Sequence, residues 1–234
     1  MAVDGVSCEF RPGTLTAIVG PNGAGKTTYF NLISGQLAAT SGSVLLFGED
    51  VTRFGAPQRA KRGIGRAFQL TSLFPRLSVL ENVRLAVQAR ANAGKSALST
   101  WRSRIDLIER AEYTLERVAL AHKRETTAAE LSHGEQRRLE VAILLALEPE
   151  VFMFDEPTAG MSVDEVPVVL ELIHHIKAQG DKTVLLVEHK MDVVRSLADR
   201  IVVLHQGQLV ADGPPAEVIA SPVVQEAYLG VARG

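Results

Sequence analysis

The 234-residue sequence is short of cysteine, aromatic residues and long apolar runs, and each shortage excludes a class of protein. Cys8 is the only cysteine. No internal disulfide framework can form, and the chain is compatible with a reducing compartment. Aromatic residues make up 5% of the chain, which leaves few rings for the base-stacking surface that single-stranded nucleic acid requires. Lys and Arg number 25 against 27 Asp and Glu, a formal net charge of −2. No positive field therefore argues for nucleic acid as a partner. No apolar stretch approaches the roughly 20 residues that span a bilayer. The first residues lack the basic-then-apolar order of a secretory signal, so none is expected. Any membrane role must come through partners.

What is present is an alternation of strand-like and helix-like segments without repeats or low-complexity tracts. Thr14–Val19 is rich in strand formers and stops at Gly20, and Lys26–Gly35 reads as a helix ending at glycine. Ser43–Phe47 and Gly48–Val51 resemble a strand and a turn. From about Leu73 to Ala146 the pattern is helical, with Trp101, Ile105, Ile108, Leu115 and Val118 on one face of an amphipathic helix. Ala89–Ser99 is small and polar and reads as a loop. Strand character returns at Val151–Phe154 and Thr183–Val187, with a helix over Asp164–Ala178 between them. This order predicts a mainly parallel sheet covered on both faces. Ile201–His205 and Gln208–Asp212, joined at Gln206-Gly207, predict a closing hairpin.

Two stretches carry the chemistry. Gly20, Pro21, Asn22, Gly23, Ala24, Gly25, Lys26, Thr27 and Thr28 fit G-x-x-x-x-G-K-[ST] between a strand and a helix. Three glycines let the backbone turn its amides toward phosphate oxygens, and the helix start adds a dipole that favours anions. In such a loop Lys26 neutralises β- and γ-phosphate charge, and Thr27 offers a hydroxyl to Mg²⁺. The apolar run Val151–Phe154 ends in two carboxylates, Asp155 near the metal and Glu156 one step further, where it can polarise a water. Alone, such a strand is usually one that meets solvent; the upstream glycine loop favours catalysis.

Leu131–Gln136 opens a helix in which Ser132 and Glu135 form an S-x-x-E capping box. Leu139, Ala142, Ile143, Ala146 and Leu147 trace its expected buried face. Capping explains Ser132 and Glu135. It leaves Gly134 unexplained, since glycine costs about 1 kcal/mol of helix propensity against alanine. Close approach of a phosphate to the backbone would account for it. The cluster Arg59, Lys61, Arg62 and Arg66 reads as a solvated surface, and His174-His175 lacks further ligands at metal-site spacing.

With these motifs in this order the chain resembles the ABC ATPases over nearly its whole length. Gly20–Thr28 is similar to the Walker A loop, Leu131–Gln136 to the ABC signature, and Val151–Glu156 to Walker B with its catalytic glutamate. Gln69 resembles the Q-loop glutamine that senses Mg²⁺ and the membrane subunit, and His189 the switch histidine at the γ-phosphate. Gly63–Gln69, Leu131–Glu140, Thr158–Ser162 and Glu226–Gly230 resemble the ATPases of branched-chain amino-acid importers, whose relatives serve urea and other amides. The resemblance implies an α/β fold, a P-loop NTPase (RecA-like) core of residues 1–68 and 148–234. An inserted helical subdomain spans 69–147, and a small antiparallel β part lies near the N-terminus.

The implied activity is ATP hydrolysis coupled to transport, with ATP and Mg²⁺ as cofactors. Lys26, Gln69, Glu156 and His189 would be catalytic, and Thr27, Gln69 and Asp155 would hold the metal. Ser132, Gly134 and Glu135 would cap the ATP of a second ATPase subunit, identical or different, with a different chain favoured by the resemblance. Membrane permeases and, indirectly, a periplasmic or extracellular substrate-binding protein are the further partners; nucleic acid is not. The implied location is the cytoplasmic face of the inner membrane. Lipopolysaccharide export and a soluble ABC protein without permeases are the alternatives.

Three departures stand out. His133 occupies a position that is usually glycine in the wider family, and Ser162 stands where most members carry the D-loop aspartate. The family's N-terminal strand with an adenine-stacking aromatic is missing ahead of Phe10, which lies too near the P-loop to replace it. Either the true start lies upstream or adenine is held weakly. Weak hold on adenine predicts similar affinity for ATP and GTP, and a competition titration that shows strong preference for ATP rejects that alternative.

Overall fold

Apolar runs too continuous to leave a polar face force the central strands to be covered on both sides. The computed structural model describes residues 2–67, 73–91 and 101–229. In chain order β1 (Leu15–Val19) leads into α1 (Lys26–Ser34), followed by β2 (Leu45–Leu46), β3 (Glu49–Asp50), α2 (Ala56–Ala60) and β4 (Ile64–Ala67). Three longer helices come next, α3 (Val79–Arg90), α4 (Trp101–Arg117) and α5 (His133–Leu147). The chain then alternates through β5 (Val151–Asp155), α6 (Val166–Ala178), β6 (Thr183–Val187) and α7 (Met191–Leu197). It closes with β7 (Arg200–His205), β8 (Gln208–Gly213), α8 (Pro215–Ala220) and α9 (Pro222–Leu229). Gln69, residues 92–100 of the expected loop and the tail from Gly230 lie outside the described residues.

Two compact units form. The first comprises Met1–Ile64, Glu150–Glu156 and Ile176–Gly234, the second Gly65–Pro149 and Pro157–His175. The main sheet has the order β4-β5-β6-β1-β7-β8. Pairs β5–β6, β6–β1 and β1–β7 are parallel, and β7–β8 is the expected antiparallel hairpin. Every residue of β1, β5 and β6 is buried. Alternate residues of β1 serve two cores: Ile18 packs with Phe30, Met153 and Leu185 on one face, and Ala17 and Val19 with Val194, Ile201 and Val203 on the other. In the second unit Val79, Val83, Leu107, Ala111, Leu115 and Leu139 are buried among α3, α4 and α5.

Four details differ from the sequence reading. Gly48–Val51 is more than a turn, because Glu49–Asp50 pairs antiparallel with Leu45–Leu46 around Phe47-Gly48. Ala89 and Arg90 belong to the last turn of α3 rather than to the loop. In α4 the buried stripe is Leu107, Ala111 and Leu115, continued by Val118 just past its end, while Ile105 is 40% exposed. Ile105 lies two residues, about 200° of helix, from Leu107. In α5 Val141, Leu144 and Leu145 are also buried and Leu147 is 37% exposed, so the helix is enclosed along its middle rather than on one stripe.

Arg59 overturns the reading of its cluster as surface, since it is only 1% exposed. Its guanidinium donates to the carbonyls of Leu32 (2.6 Å), Ile33 (2.7 Å), Phe54 (2.9 Å) and Thr52 (3.0 Å). Leu32 and Ile33 end α1, where carbonyls lack helical partners and a cation is favoured. Arg59 thus closes the helix whose other end carries the glycine loop. Arg62 keeps the surface role, paired with Glu49 at 3.0 Å and stacked 4.1 Å above the Phe54 ring. Replacing Arg59 by Met strands four carbonyls and is expected to cost about 3 kcal/mol, read as a lower urea midpoint. A loss below about 0.5 kcal/mol would return Arg59 to the class of ordinary surface residues.

Candidate active site at the carboxyl ends of β1, β5 and β6

Parallel pairing sets Ile18 beside Val187 and Val187 beside Asp155, so three strands end at one level. Ligands of open parallel sheets bind at that edge, beyond the carboxyl ends of the strands. Gly20–Thr28 leaves β1 there, Asp155-Glu156 ends β5, and Glu188-His189 follows β6. All belong to the first unit.

The loop after β1 depends on its glycines. Gly20, Gly23 and Gly25 have φ of 152°, 79° and 98°. A Cβ on Gly20 would meet the Leu204 carbonyl oxygen at 2.1 Å, and one on Gly25 the Ala2 oxygen at 2.3 Å. Ala24 is buried, its NH donating to the Pro21 carbonyl at 3.2 Å, while Asn22 and Gly23 are exposed. Gly25 starts α1 without any side-chain cap. The first helical bond runs from Tyr29 NH to the Gly25 carbonyl at 2.8 Å. A helix start built this way presents backbone NH groups to an anion. Thr27 is exposed and Thr28 half-buried on the first turn.

Lys26 is only 6% exposed, and its Nζ donates to the carbonyls of Gly20 (2.8 Å) and Pro21 (3.0 Å). Burial pushes its pKa down, while the nearby Glu156 and Asp155 carboxylates pull it back up. Lys26, Asp155 and Glu156 thus share one electrostatic site. Glu156 takes a left-handed backbone, φ 52°, and its NH donates to the Val187 carbonyl at 2.9 Å. Such a conformation costs a non-glycine residue about 1–2 kcal/mol. Glu156 Oε1 lies 2.9 Å from His189 Nε2.

Glu188 escaped the sequence reading. Its buried carboxylate accepts from the NH groups of His189 (2.8 Å) and Lys190 (3.2 Å), which fixes the turn that carries His189. A carboxylate directly ahead of the histidine was the only signal. Phe10 is part of the core rim, with the Arg200 guanidinium 6.0 Å from its ring centroid.

Ser132, Gly134 and Glu135 lie in the second unit. The expected capping box forms: Glu135 NH donates to Ser132 Oγ (3.3 Å) and Ser132 NH to Glu135 Oε2 (2.9 Å). Lys123, also missed in the sequence, pairs with Glu135 Oε1 at 2.6 Å. Burial opposes the Glu135 charge, but the bonds from Lys123 and Ser132 outweigh it and hold its pKa below the ordinary value. The Gly134 surroundings include Glu165, whose carboxylate oxygens lie 2.1 Å from where a Cβ would stand.

Comparison with known proteins is consistent across three kinds of match. The family described as "ABC transporter" matches residues 3–159, and that described as "Branched-chain amino acid ATP-binding cassette transporter" matches residues 208–233. The chain is 37% identical to the high-affinity branched-chain amino acid transport ATP-binding protein LivG of Escherichia coli (strain K12), covering 99% of this chain and 93% of that one. It is 32% identical to the lipopolysaccharide export system ATP-binding protein LptB of the same organism, covering 97% and 90%. A crystal structure of the ADP conformation of MJ1267, an ATP-binding cassette, aligns with TM-score 0.80 and 30% identity over 98% of this chain and 93% of that chain.

The glycine positions offer a graded test. Gly20→Ala meets immovable backbone and is expected to lose about 3 kcal/mol of stability, whereas Gly23→Ala, with nothing within 4 Å, loses about 1 kcal/mol for its φ alone. Thermal melts of the two variants check the ranking, and equal losses would contradict the packing described.

Proposed function

The chain belongs to the ABC transporter family, and on that premise we propose that it energises import of branched-chain amino acids or related amides. It is an ATPase, the ATP-binding subunit of an ABC transporter, working as a dimer on membrane permeases. Among the described residues no helix is long and apolar enough to cross a membrane. The favoured second ATPase is a different chain, and a periplasmic or extracellular binding protein delivers the cargo to the permeases. The pair sits on the cytoplasmic face of the inner membrane.

The hydrolytic reading rests on one observation, the 2.9 Å contact of Glu156 with His189 beside the buried Lys26. Lys26 and the first-turn NH groups of α1 hold the β- and γ-phosphates. Glu156 polarises a water for in-line attack on the γ-phosphorus, and His189 spans Glu156 and the γ-phosphate. The Thr27 hydroxyl and Asp155 carboxylate form an all-oxygen pair that suits Mg²⁺. Among the described residues no cluster of three acidic, His or Cys side chains could hold a metal by itself. When bound, Mg²⁺ spreads the charge that develops on the phosphates. Gln69, the further metal-sensing residue of this proposal, lies outside the described residues.

Ser132 and Gly134 close over the triphosphate of the partner subunit. ATP thereby favours the closed dimer and hydrolysis releases it, a population shift that the permeases convert to transport. The match at residues 208–233 and the higher identity to LivG than to LptB support amino-acid import over lipopolysaccharide export.

Glu156→Gln is expected to keep ATP binding, slow turnover at least about 100-fold and accumulate an ATP-dependent dimer. Phosphate release and sedimentation measure the two effects. Turnover at the wild-type rate would remove Glu156 from the mechanism.

A further inference from the structure

The segment between β5 and α6 meets the start of α5 at two points, both within the second unit. A Cβ on Gly160, φ 73°, would lie 2.9 Å from two atoms of the His133 ring. Five residues on, Glu165 accepts from both the NH and the Oγ of Ser162 at 3.0 Å. The other side of the same carboxylate covers Gly134, where a Cβ would meet both oxygens at 2.1 Å and Cδ at 2.2 Å. The carboxylate therefore occupies the place a Cβ of Gly134 would take, at the first turn of α5.

This contact accounts for a glycine in the first turn from within the chain: a side chain at Gly134 would displace Glu165 from the place where Ser162 holds it. It also puts a negative charge at the positive end of the helix, where an anion is stabilised. The same turn is where Ser132 and Gly134 receive the partner's triphosphate. Two anions cannot share that space, because like charges repel and the volume is already filled.

We propose that Glu165 is an internal competitor of the partner's γ-phosphate. Held by Ser162, it keeps the signature turn occupied in the separate subunit and must swing away for the ATP sandwich to close. Ser162, at the position of the missing D-loop aspartate, thereby ties the segment after Glu156 to the signature turn of its own chain. The inference rests on the dimeric sandwich of the proposed function and adds to it the residue that sets the closing threshold. Only the fraction of subunits with Glu165 displaced can close, so apparent affinity for the closing ATP falls by that fraction.

The test uses the ATPase pair carrying Glu156→Gln, with dimer formation followed by sedimentation across an ATP titration. Adding Glu165→Gln is expected to lower the half-maximal ATP concentration about fivefold. Ser162→Ala, which removes one of the two bonds to Glu165, is expected to lower it about twofold. Affinity of the dilute single chain for a fluorescent ATP analogue should not change. If Glu165 merely caps α6, its loss loosens the segment, and the half-maximal ATP concentration stays or rises in both variants; that result overturns the proposal. If the Glu156→Gln pair itself forms no ATP-dependent dimer, the sandwich fails and this inference falls with it.

Discussion

Parallel pairing of β5 with β6 and of β6 with β1 is the constraint from which the site follows. It brings Asp155, Val187 and Ile18 level, so the residues after each strand emerge at one edge. Burial on both faces makes this register unforgiving. A slip of one residue would exchange Ile18 with Ala17 and Val19 between two cores of different shape. The same slip would withdraw Asp155 and Glu156 from the edge. Stability and catalytic geometry are thus carried by the same apolar residues.

Two helix starts show how the chain treats backbone charge in opposite ways. At α1 the cap is Gly25, without a side-chain acceptor, and the NH groups remain available for phosphate. At α5 the capping box engages Ser132 and Glu135, and Lys123 balances the added carboxylate. The first end is shaped to take an anion into its own unit. The second is engaged by carboxylates of its own chain, Glu135 in the capping box and Glu165 at Gly134. Arg59 completes α1 at its far end, tying the carbonyls of Leu32 and Ile33 to those of Thr52 and Phe54.

One of the left-handed non-glycine residues, Glu156, lies at the candidate site. Glu156 holds a left-handed backbone where strand β5 ends, and its carboxylate reaches His189 instead of continuing the strand direction. Glu188 supports the same arrangement by accepting two NH groups at the following turn. The strands that lead into both residues are buried along their whole length.

Local chemistry made the strands, the glycine loop, α1 with Gly35 and the capping box legible in the sequence, because each depends on residues a few positions apart. The hairpin at Gln206-Gly207 was readable for the same reason. Arg59 reads as surface in the sequence, since its carbonyl partners at Leu32 and Ile33 lie 27 and 26 residues away. The stripe of α4 and the enclosure of α5 were misplaced because helices on several sides override a single apolar face. Lys123 against Glu135 and Glu165 against Gly134 are likewise contacts across the fold. The sequence by itself determined the glycine loop, the buried strands and the capping box, because each is written in neighbouring residues. Only the tertiary structure decided which charges meet, because pairing across long separations is set by packing and not by spacing along the chain.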